Sequence, residues 1–264
     1  MVYVVGHRGA AGVQPENTLK GFRYALELGV DYVECDVHLT RDGHLVVMHD
    51  ATVNRTTNGA GAIRDLTFER IRRLDAGDGE QVPTLDEVLE TVRGRARLLC
   101  ELKGMGVEEA AVAAVRAHGM EEEVTFTSFS LERLARVREL GSHYRIGAIL
   151  PNATEFEIAR AAALAAVGIG VHYKNLCLRI LEEAHQAGLE VRAWNPDTLP
   201  EQQAMIALGV DGISTNRPDI LIAYLRRSTA RLKPELENIA SPANPLLTEA
   251  TETESTATVS TKEE

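Results

Sequence analysis

Short runs of β-branched residues alternate with longer stretches of helical periodicity along almost the whole body of this 264-residue chain. That alternation is the pattern of βα units around a parallel sheet, because each parallel strand needs a crossover, usually a helix, to bring the chain back to the same end. Strands are expected at Val2–Val5, Tyr32–Val37, Leu98–Leu102, Val124–Thr127, Arg145–Ile149, Val167–Val171, Glu190–Trp194 and Gly212–Thr215. Apolar residues three and four apart predict helices over Leu19–Leu28, Leu85–Val92, Glu108–Ala117, Leu131–Leu140, Glu155–Leu164, Cys177–Ala187, Glu201–Leu208 and Ile220–Arg227. Gly29, Gly119, Gly141, Gly188 and Gly209 follow helices as left-handed caps. Eight strands and eight helices are the count for a closed α/β barrel, and a single barrel of roughly 250 residues suits the length.

One run breaks the alternation. Leu45–Met48 follows Thr40-Arg41-Asp42-Gly43 directly, and a strand joined to its neighbour by an Asp-Gly turn must be antiparallel. A hairpin therefore rises from the second strand and returns His49 toward Asp36. Residues 51–82 are polar and Gly-rich around a short helical Phe68–Leu74, and long connections at barrel strand ends usually line the site. The barrel is expected over residues 1–232, with the hairpin and insertion at about 40–82. From Lys233 onward Thr, Glu, Ser and Ala with three prolines bury too little apolar surface to offset ordering, so 233–264 reads as a disordered tail.

That tail carries seven Glu and one Lys from Glu235 on, so it holds −6 of the net charge of −11 and leaves the body at −5. A mildly acidic body argues against a nucleic-acid partner, which calls for a basic stripe. The N-terminus has no basic region and reaches Gly6 after one short apolar run, so no signal or transit peptide is expected. The longest apolar stretch, Ile158–Val171, contains Arg160 and is shorter than the ~18 residues of a membrane span. Cys35, Cys100 and Cys177 are far apart with no C-x-x-C, which reads as three small buried hydrophobes in a reducing compartment. A cytoplasmic location is expected.

Residues two apart in a strand share a face. Glu34 and Asp36 therefore point one way and Cys35 the other, and Glu101 and Lys103 likewise oppose Cys100. The cysteines suit the helix side, so the charged residues face the barrel mouth. Three carboxylates converging there repel and desolvate unless something compensates, and a divalent cation is the obvious compensation. All-oxygen ligands favour a hard ion, Mg²⁺ or Ca²⁺, over zinc, with Mn²⁺ a further candidate. Plain salt-bridged carboxylates would show the same Glu-x-Asp spacing. His7-Arg8 closes the first strand and His49 returns to the same mouth: the guanidinium suits phosphate oxygens, and two imidazoles suit proton exchange near neutral pH. Either histidine alone reads equally as structural. Together with a metal-bound anion they suit phosphoryl transfer on a phosphodiester.

The ordered motifs GHRG (Gly6–Gly9), PENT (Pro15–Thr18), E-x-D-V (Glu34–Val37), T-x-DG-x-x-V-x-x-HD (Thr40–Asp50), PTLDEVL (Pro83–Leu89) and ELK (Glu101–Lys103) resemble the glycerophosphodiester phosphodiesterase family. TSFS, Ala193-Trp194 and GVDGISTNRPD (Gly209–Asp219) resemble its closing strands, so the likeness spans about Val2 to Leu225. It implies a TIM barrel with a small insertion, a divalent metal, and hydrolysis of glycerophosphodiesters to sn-glycerol 3-phosphate and an alcohol. The metal ligands implied are Glu34, Asp36 and Glu101, and the catalytic histidines His7 and His49. Arg8 and Lys103 stand at phosphate-contact positions, Glu16 and Asn17 at supporting positions, and Trp194 at an aromatic wall beside the glycerol or as ordinary barrel filling. His49 is expected as general acid and His7 as base, with the glycerol 2-hydroxyl or a metal-bound water attacking phosphorus.

Two departures stand out: Asn195-Pro196-Asp197 replaces the usual Thr-Val-Asn, and Asn216 stands where Asp is common. Both are expected on the substrate's far side, bearing on substrate choice. Rival readings are a phospholipase D-like enzyme acting on lysophospholipid, a non-catalytic barrel that binds phosphate esters, and an unrelated metal-dependent barrel. The insertion has few aromatics for the first, a binding module has no need of both histidines, and the third would lack the Thr40–Asp50 hairpin. The expected partner is a small-molecule substrate, with no nucleic acid or membrane span and the oligomeric state open. His38, His44, His118, His143 and His185 read as solvated or structural, and His172 as a candidate substrate contact at a strand end.

Overall fold

The computed structural model describes residues 2–239, with side chains to residue 228. Along the chain, β1 (Tyr3–Gly6) leads to α1 (Leu19–Leu28), β2 (Tyr32–Leu39), β3 (Leu45–Val47), α2 (Phe68–Arg72), α3 (Leu85–Val92) and β4 (Arg97–Leu102). Five further units follow: α4 (Glu108–Ala117) and β5 (Val124–Ser128), α5 (Leu131–Leu140) and β6 (Arg145–Ile149), α6 (Glu155–Ala163) and β7 (Gly168–His172), α7 (Leu178–Gln186) and β8 (Glu190–Trp194), α8 (Leu199–Leu208) and β9 (Gly212–Thr215). A last helix, α9, runs Pro218–Ile239. Strand order is β1-β9-β8-β7-β6-β5-β4-β2, and pairing of β1 with β2 closes the ring. Eight parallel strands with helices between them make a TIM barrel, and among the described residues β3 is the one antiparallel strand added to it, pairing Val37 with Val47 and Leu39 with Leu45.

The hairpin forms for the reason its sequence indicates. Gly43 takes φ 82°, a left-handed conformation that glycine adopts without steric cost, and its N–H closes the turn on the Thr40 carbonyl at 3.0 Å. β2 runs to Leu39, past the expected Val37, because β3 continues its ladder. Helix starts are chemically set: Thr18, Thr84 and Thr154 accept from the third backbone N–H of α1, α3 and α6, and Glu87 and Glu157 complete reciprocal capping boxes. Of the five glycines expected as left-handed caps, Gly29, Gly119, Gly188 and Gly209 have positive φ, whereas Gly141 at φ 173° is simply extended. α8 begins at Leu199 because Pro200 sits in the first helical turn, where its missing N–H breaks no bond. Cys35 and Cys100 are buried register partners on β2 and β4, but Cys177 is exposed at the start of α7, so its expected burial is wrong.

The insertion is not merely polar loop. Val46 and Met48 of the hairpin, with Val53, Ile63, Leu66, Ile71, Ala76 and Val82, form a small buried cluster of their own, edged by Phe68 and Leu74. Apolar residues spread singly through Gly-rich sequence show no period, which is why the cluster is not visible in the chain order.

Two compact units divide the chain, Met1–Ile222 and Ala223–Glu264. The barrel lies within the first. In the second, the backbone is helical to Ile239, so residues 233–239 continue a helix where a disordered tail was expected. The rest of that tail, 240–264, lies outside the described residues. Among the described residues no helix is long and apolar enough to cross a membrane. Phe22 on α1 is wholly buried in the core. Phe22→Ala is expected to lower the free energy of unfolding by about 3–5 kcal/mol, read from the urea midpoint at unchanged slope.

Candidate active site

Register brings the acids together. β2 and β4 are parallel with Glu34 beside Leu99, Cys35 beside Cys100 and Asp36 beside Glu101, so alternation turns the carboxylates inward and the thiols outward. One oxygen from each of Glu34, Asp36 and Glu101 lies within 4.8 Å of the others, and all three residues are buried. Burial and the neighbouring carboxylates push Glu34 well above the usual range and Glu101 up to about 7. Burial also opposes ionisation of Asp36, but the charges of Lys103, Arg8 and His49 and the Asn17 amide outweigh it and hold that carboxyl low.

The donor set fits a hard divalent cation. Glu34 Oε1 and Asp36 Oδ1 are buried and accept no hydrogen bond within the protein, so each has a lone pair open to a ligand. Oxygen ligands with open lone pairs, crowded against their own repulsion, are what Mg²⁺, Mn²⁺ or Ca²⁺ coordinate.

A continuous circuit of charges surrounds the triad. Lys103 Nζ stands 3.0 Å from Glu101 and 3.6 Å from Asp36, and donates to His49 Nε2 at 2.9 Å. His49 Nδ1 pairs with Asp50 Oδ1 at 2.8 Å, and the buried His38 ring donates to the His49 carbonyl at 3.2 Å. Arg55 grips Asp50 through Nε and Glu16 through both terminal nitrogens, each at 2.8 Å. Glu16 then accepts from Arg8 Nη1 at 3.0 Å, and Arg8 Nε lies 3.5 Å from Asp36, which closes the circuit. Asn17 Nδ2 donates to Asp36 at 2.9 Å. Arg8 and Asn17 hold φ of 49° and 55°, conformations that cost on the order of 1–3 kcal/mol each in a non-glycine residue. The Arg8 N–H on Glu34 Oε2 (2.9 Å) and the Asn17 N–H on the Arg8 carbonyl (3.0 Å) hold them there.

His7 occupies the other side. Its Nε2 is 3.9 Å from Glu34 and its Nδ1 meets Asn216 Oδ1 at 2.7 Å; burial and then the Arg8 charge push its pKa down to about 4, so the ring is neutral. His7, Glu34, His49, Glu101, Trp194 and Phe129 line a cleft of about 480 Å³ at the barrel mouth. Phe129 and His172 pack edge-on to Trp194, with ring centroids 6.1 and 4.9 Å away. His172 therefore buttresses the wall rather than standing alone at a strand end.

Residues 7–220 match the glycerophosphoryl diester phosphodiesterase family model. The chain belongs to that family. A glycerophosphodiester phosphodiesterase of Caldanaerobacter subterraneus is 37% identical over 237 residues, covering 85% of this chain and 98% of the relative. The crystal structure of the Agrobacterium tumefaciens glycerophosphodiester phosphodiesterase has a TM-score of 0.75 at 34% identity, over 84% of this chain and 100% of that one. An Oleispira antarctica phosphodiesterase, solved in complex with the product sn-glycerol-3-phosphate, reaches a TM-score of 0.79 at 28% identity, over 84% and 95% of the two chains. This phosphodiesterase is accordingly an enzyme that hydrolyses glycerophosphodiesters.

The structure brings every expected site residue of this phosphodiesterase to one mouth: His7, Arg8, Glu16, Asn17, Glu34, Asp36, His49, Glu101, Lys103 and Trp194. Asp197 and Asn216 stand directly behind His7. Sequence reasoning missed Arg55, which sits in an aperiodic loop and carries no signal of its own. It also missed Arg192, buried and lining the cleft with Nε unpartnered, although alternation from Trp194 places it on the same inner face. His44, His118 and His185 are engaged elsewhere, against Phe68, Asp86 and Asp211, as structural histidines.

Arg55 hydrogen bonds hold the Asp50 carboxyl well below its usual range, and for Glu16 the Arg55 and Arg8 contacts outweigh the opposing effect of burial. Lowered folded values mean that these pairs stabilise the fold above the ordinary carboxylate pKa and that the contribution fades as pH falls through the folded values. Arg55→Met is therefore expected to reduce the loss of stability between about pH 5 and pH 2, measured by urea unfolding of both proteins across that window.

Proposed function

We propose that this phosphodiesterase cleaves glycerophosphodiesters to sn-glycerol 3-phosphate and an alcohol, with a divalent cation held by Glu34, Asp36 and Glu101 and proton transfer by His7 and His49. The observation that carries the reading is one cleft lined by two imidazoles, a lysine, Glu34 and Glu101, with Asp36 clustered beside them and one oxygen each of Glu34 and Asp36 buried without a hydrogen bond. The product held by the Oleispira antarctica relative supports the substrate class. Three unpaired cysteines accord with a reducing compartment, which favours the cytoplasm.

When bound, the cation polarises a phosphoryl oxygen and offsets charge that builds in the transition state. Arg8 and Lys103 add positive charge on the same side. Neutral His7 accepts the proton of the attacking hydroxyl at Nε2. His49 Nε2, which accepts from Lys103, takes up that proton and passes it to the leaving alkoxide, while Nδ1 stays on the Asp50 carboxylate. Trp194 Nε1, Thr127 Oγ1, Asn195 Oδ1 and Arg192 Nε are buried cleft atoms without partners, so they offer hydrogen bonds to glycerol hydroxyls and phosphate oxygens.

Activity on sn-glycero-3-phosphocholine and related head groups is expected to vanish on chelation and to return with Mg²⁺, Mn²⁺ or Ca²⁺. His7→Ala and His49→Ala should each lower kcat by about 10²–10⁴-fold, while Glu34→Gln and Glu101→Gln abolish calorimetric cation binding. A folded wild-type enzyme inert toward every head group and cation would end this reading. Labelled water identifies the nucleophile: transient cyclic glycerophosphate marks the 2-hydroxyl, and direct ¹⁸O incorporation without it marks water.

A further inference from the structure

The two catalytic imidazoles are backed by chemically different groups. Behind His49 stands a carboxylate, Asp50. Behind His7 stands the side-chain amide of Asn216, with Nδ1 and Oδ1 2.7 Å apart. An amide offers an acceptor on one side and donors on the other, so its orientation decides which ring nitrogen of His7 carries the proton. That orientation is determined by Asp197. Its Oδ2 lies 2.7 Å from Asn216 Nδ2, while its Oδ1 accepts from the Asn216 backbone N–H and the Thr215 hydroxyl, both at 2.8 Å. An ionised carboxylate can only accept, so the amide nitrogen must face Asp197 and the amide oxygen must face His7. The ring must then donate from Nδ1, which leaves the Nε2 lone pair on the side of Glu34, 3.9 Å away.

Further contacts hold the relay itself. The His7 backbone N–H donates to the Thr215 carbonyl at 3.1 Å, tying β1 to the end of β9. Gln202, wholly buried on α8, donates to Thr215 Oγ1 and to the Pro196 carbonyl, each at 3.3 Å. Asp197 is thus anchored from two segments, and the Asn216 amide has no room to turn without losing the carboxylate.

We propose that Asn216 and Asp197 are positioning residues for the hydrolytic reaction: Asp197 orients the Asn216 amide, and the amide holds His7 as the Nδ1–H tautomer with Nε2 turned to the substrate. The proposal rests on the reading of His7 as the proton acceptor. The relay acts through the tautomer it fixes: with the proton held on Nδ1, Nε2 keeps a lone pair free for the substrate.

Near-isosteric exchanges test it, because each sets the polarity of the chain of hydrogen bonds without removing volume. In Asp197→Asn the new amide nitrogen faces Asn216, which turns to present its own nitrogen to His7 and forces the opposite tautomer. In Asp197→Asn combined with Asn216→Asp, the amide at 197 donates to a carboxylate at 216, which accepts from His7 Nδ1 as before. Asn216→Leu removes the acceptor altogether. The ¹⁵N shifts of the His7 ring in cation-free enzyme should show a protonated Nδ1 in wild type and in the double exchange, and a protonated Nε2 in Asp197→Asn. With cation and sn-glycero-3-phosphocholine, Asp197→Asn and Asn216→Leu should lower kcat by about 10²-fold or more, with KM changed less than about threefold. The double exchange should recover kcat to within about tenfold of wild type.

A protonated Nε2 in wild-type His7 overturns the proposal, as does wild-type kcat in Asp197→Asn. If Asp197→Asn unfolds, the double exchange and the wild-type spectrum still decide it. The two readings fail separately: full activity of His7→Ala removes His7 from the chemistry, whereas an inactive His7→Ala beside a fully active Asn216→Leu removes only the positioning role.

Discussion

Three carboxylates forced into one buried spot organise this molecule. Glu34, Asp36 and Glu101 approach within 4.8 Å because a parallel register sets Asp36 beside Glu101 and a two-residue period sets Glu34 on the same face. Left alone, such a cluster would expel charge by taking up protons, and the raised Glu34 and Glu101 show that tendency. The rest of the mouth answers it: Arg8 and Lys103 bring positive charge, Asn17 an amide donor, and two residues accept left-handed backbones to reach their places. The unsatisfied oxygens that remain could coordinate a metal ion.

The charge circuit also explains why the insertion belongs to the site although most of its residues are far from chemistry in sequence. Val46, Met48, Ile63, Ile71 and Val82 give the hairpin and its long connection a packed base. On that base Arg55 is carried to a point where it bridges Asp50 and Glu16, and so joins the hairpin histidine to the first βα loop. A surface ion pair is ordinarily worth little, but a network in which one side chain is shared between partners loses less freedom per contact. Here its effect is geometric, since His49 is held from Asp50, from Lys103 and through the His38 contact to its carbonyl.

Two identical side chains can thus have unlike duties in one cleft. His49 is backed by a carboxylate within a string of charges and is at least partly exposed to solvent, whereas His7 is buried and backed by a neutral amide. The same imidazole is paired with an anion in one setting and, in the other, kept neutral by burial against an oriented amide. The closing loops after β8 and β9 place Asp197 and Asn216 directly behind His7.

Much of this was legible in the chain order. Alternating periods named all eight barrel strands, the Asp-Gly turn named the hairpin, and Glu34, Asp36, Glu101, His7 and His49 were visible as strand-end residues whose neighbours two places away share their face. Those features are local, depending on spacings of a few residues and on turn chemistry, which a sequence carries directly. Arg192 shares the inner face of Trp194 by alternation, but Arg55, Asp197 and Asn216 have no such local mark. Their roles come from contacts made between segments, Arg55 to Glu16 across 39 positions and Asn216 to His7 across 209, and only closure of the barrel brings those ends together. The sequence by itself determined which residue types stand at the mouth. Tertiary structure decided which of them touch, and therefore which histidine is backed by a carboxylate and which by an amide, because hydrogen-bond polarity is a property of pairs in space.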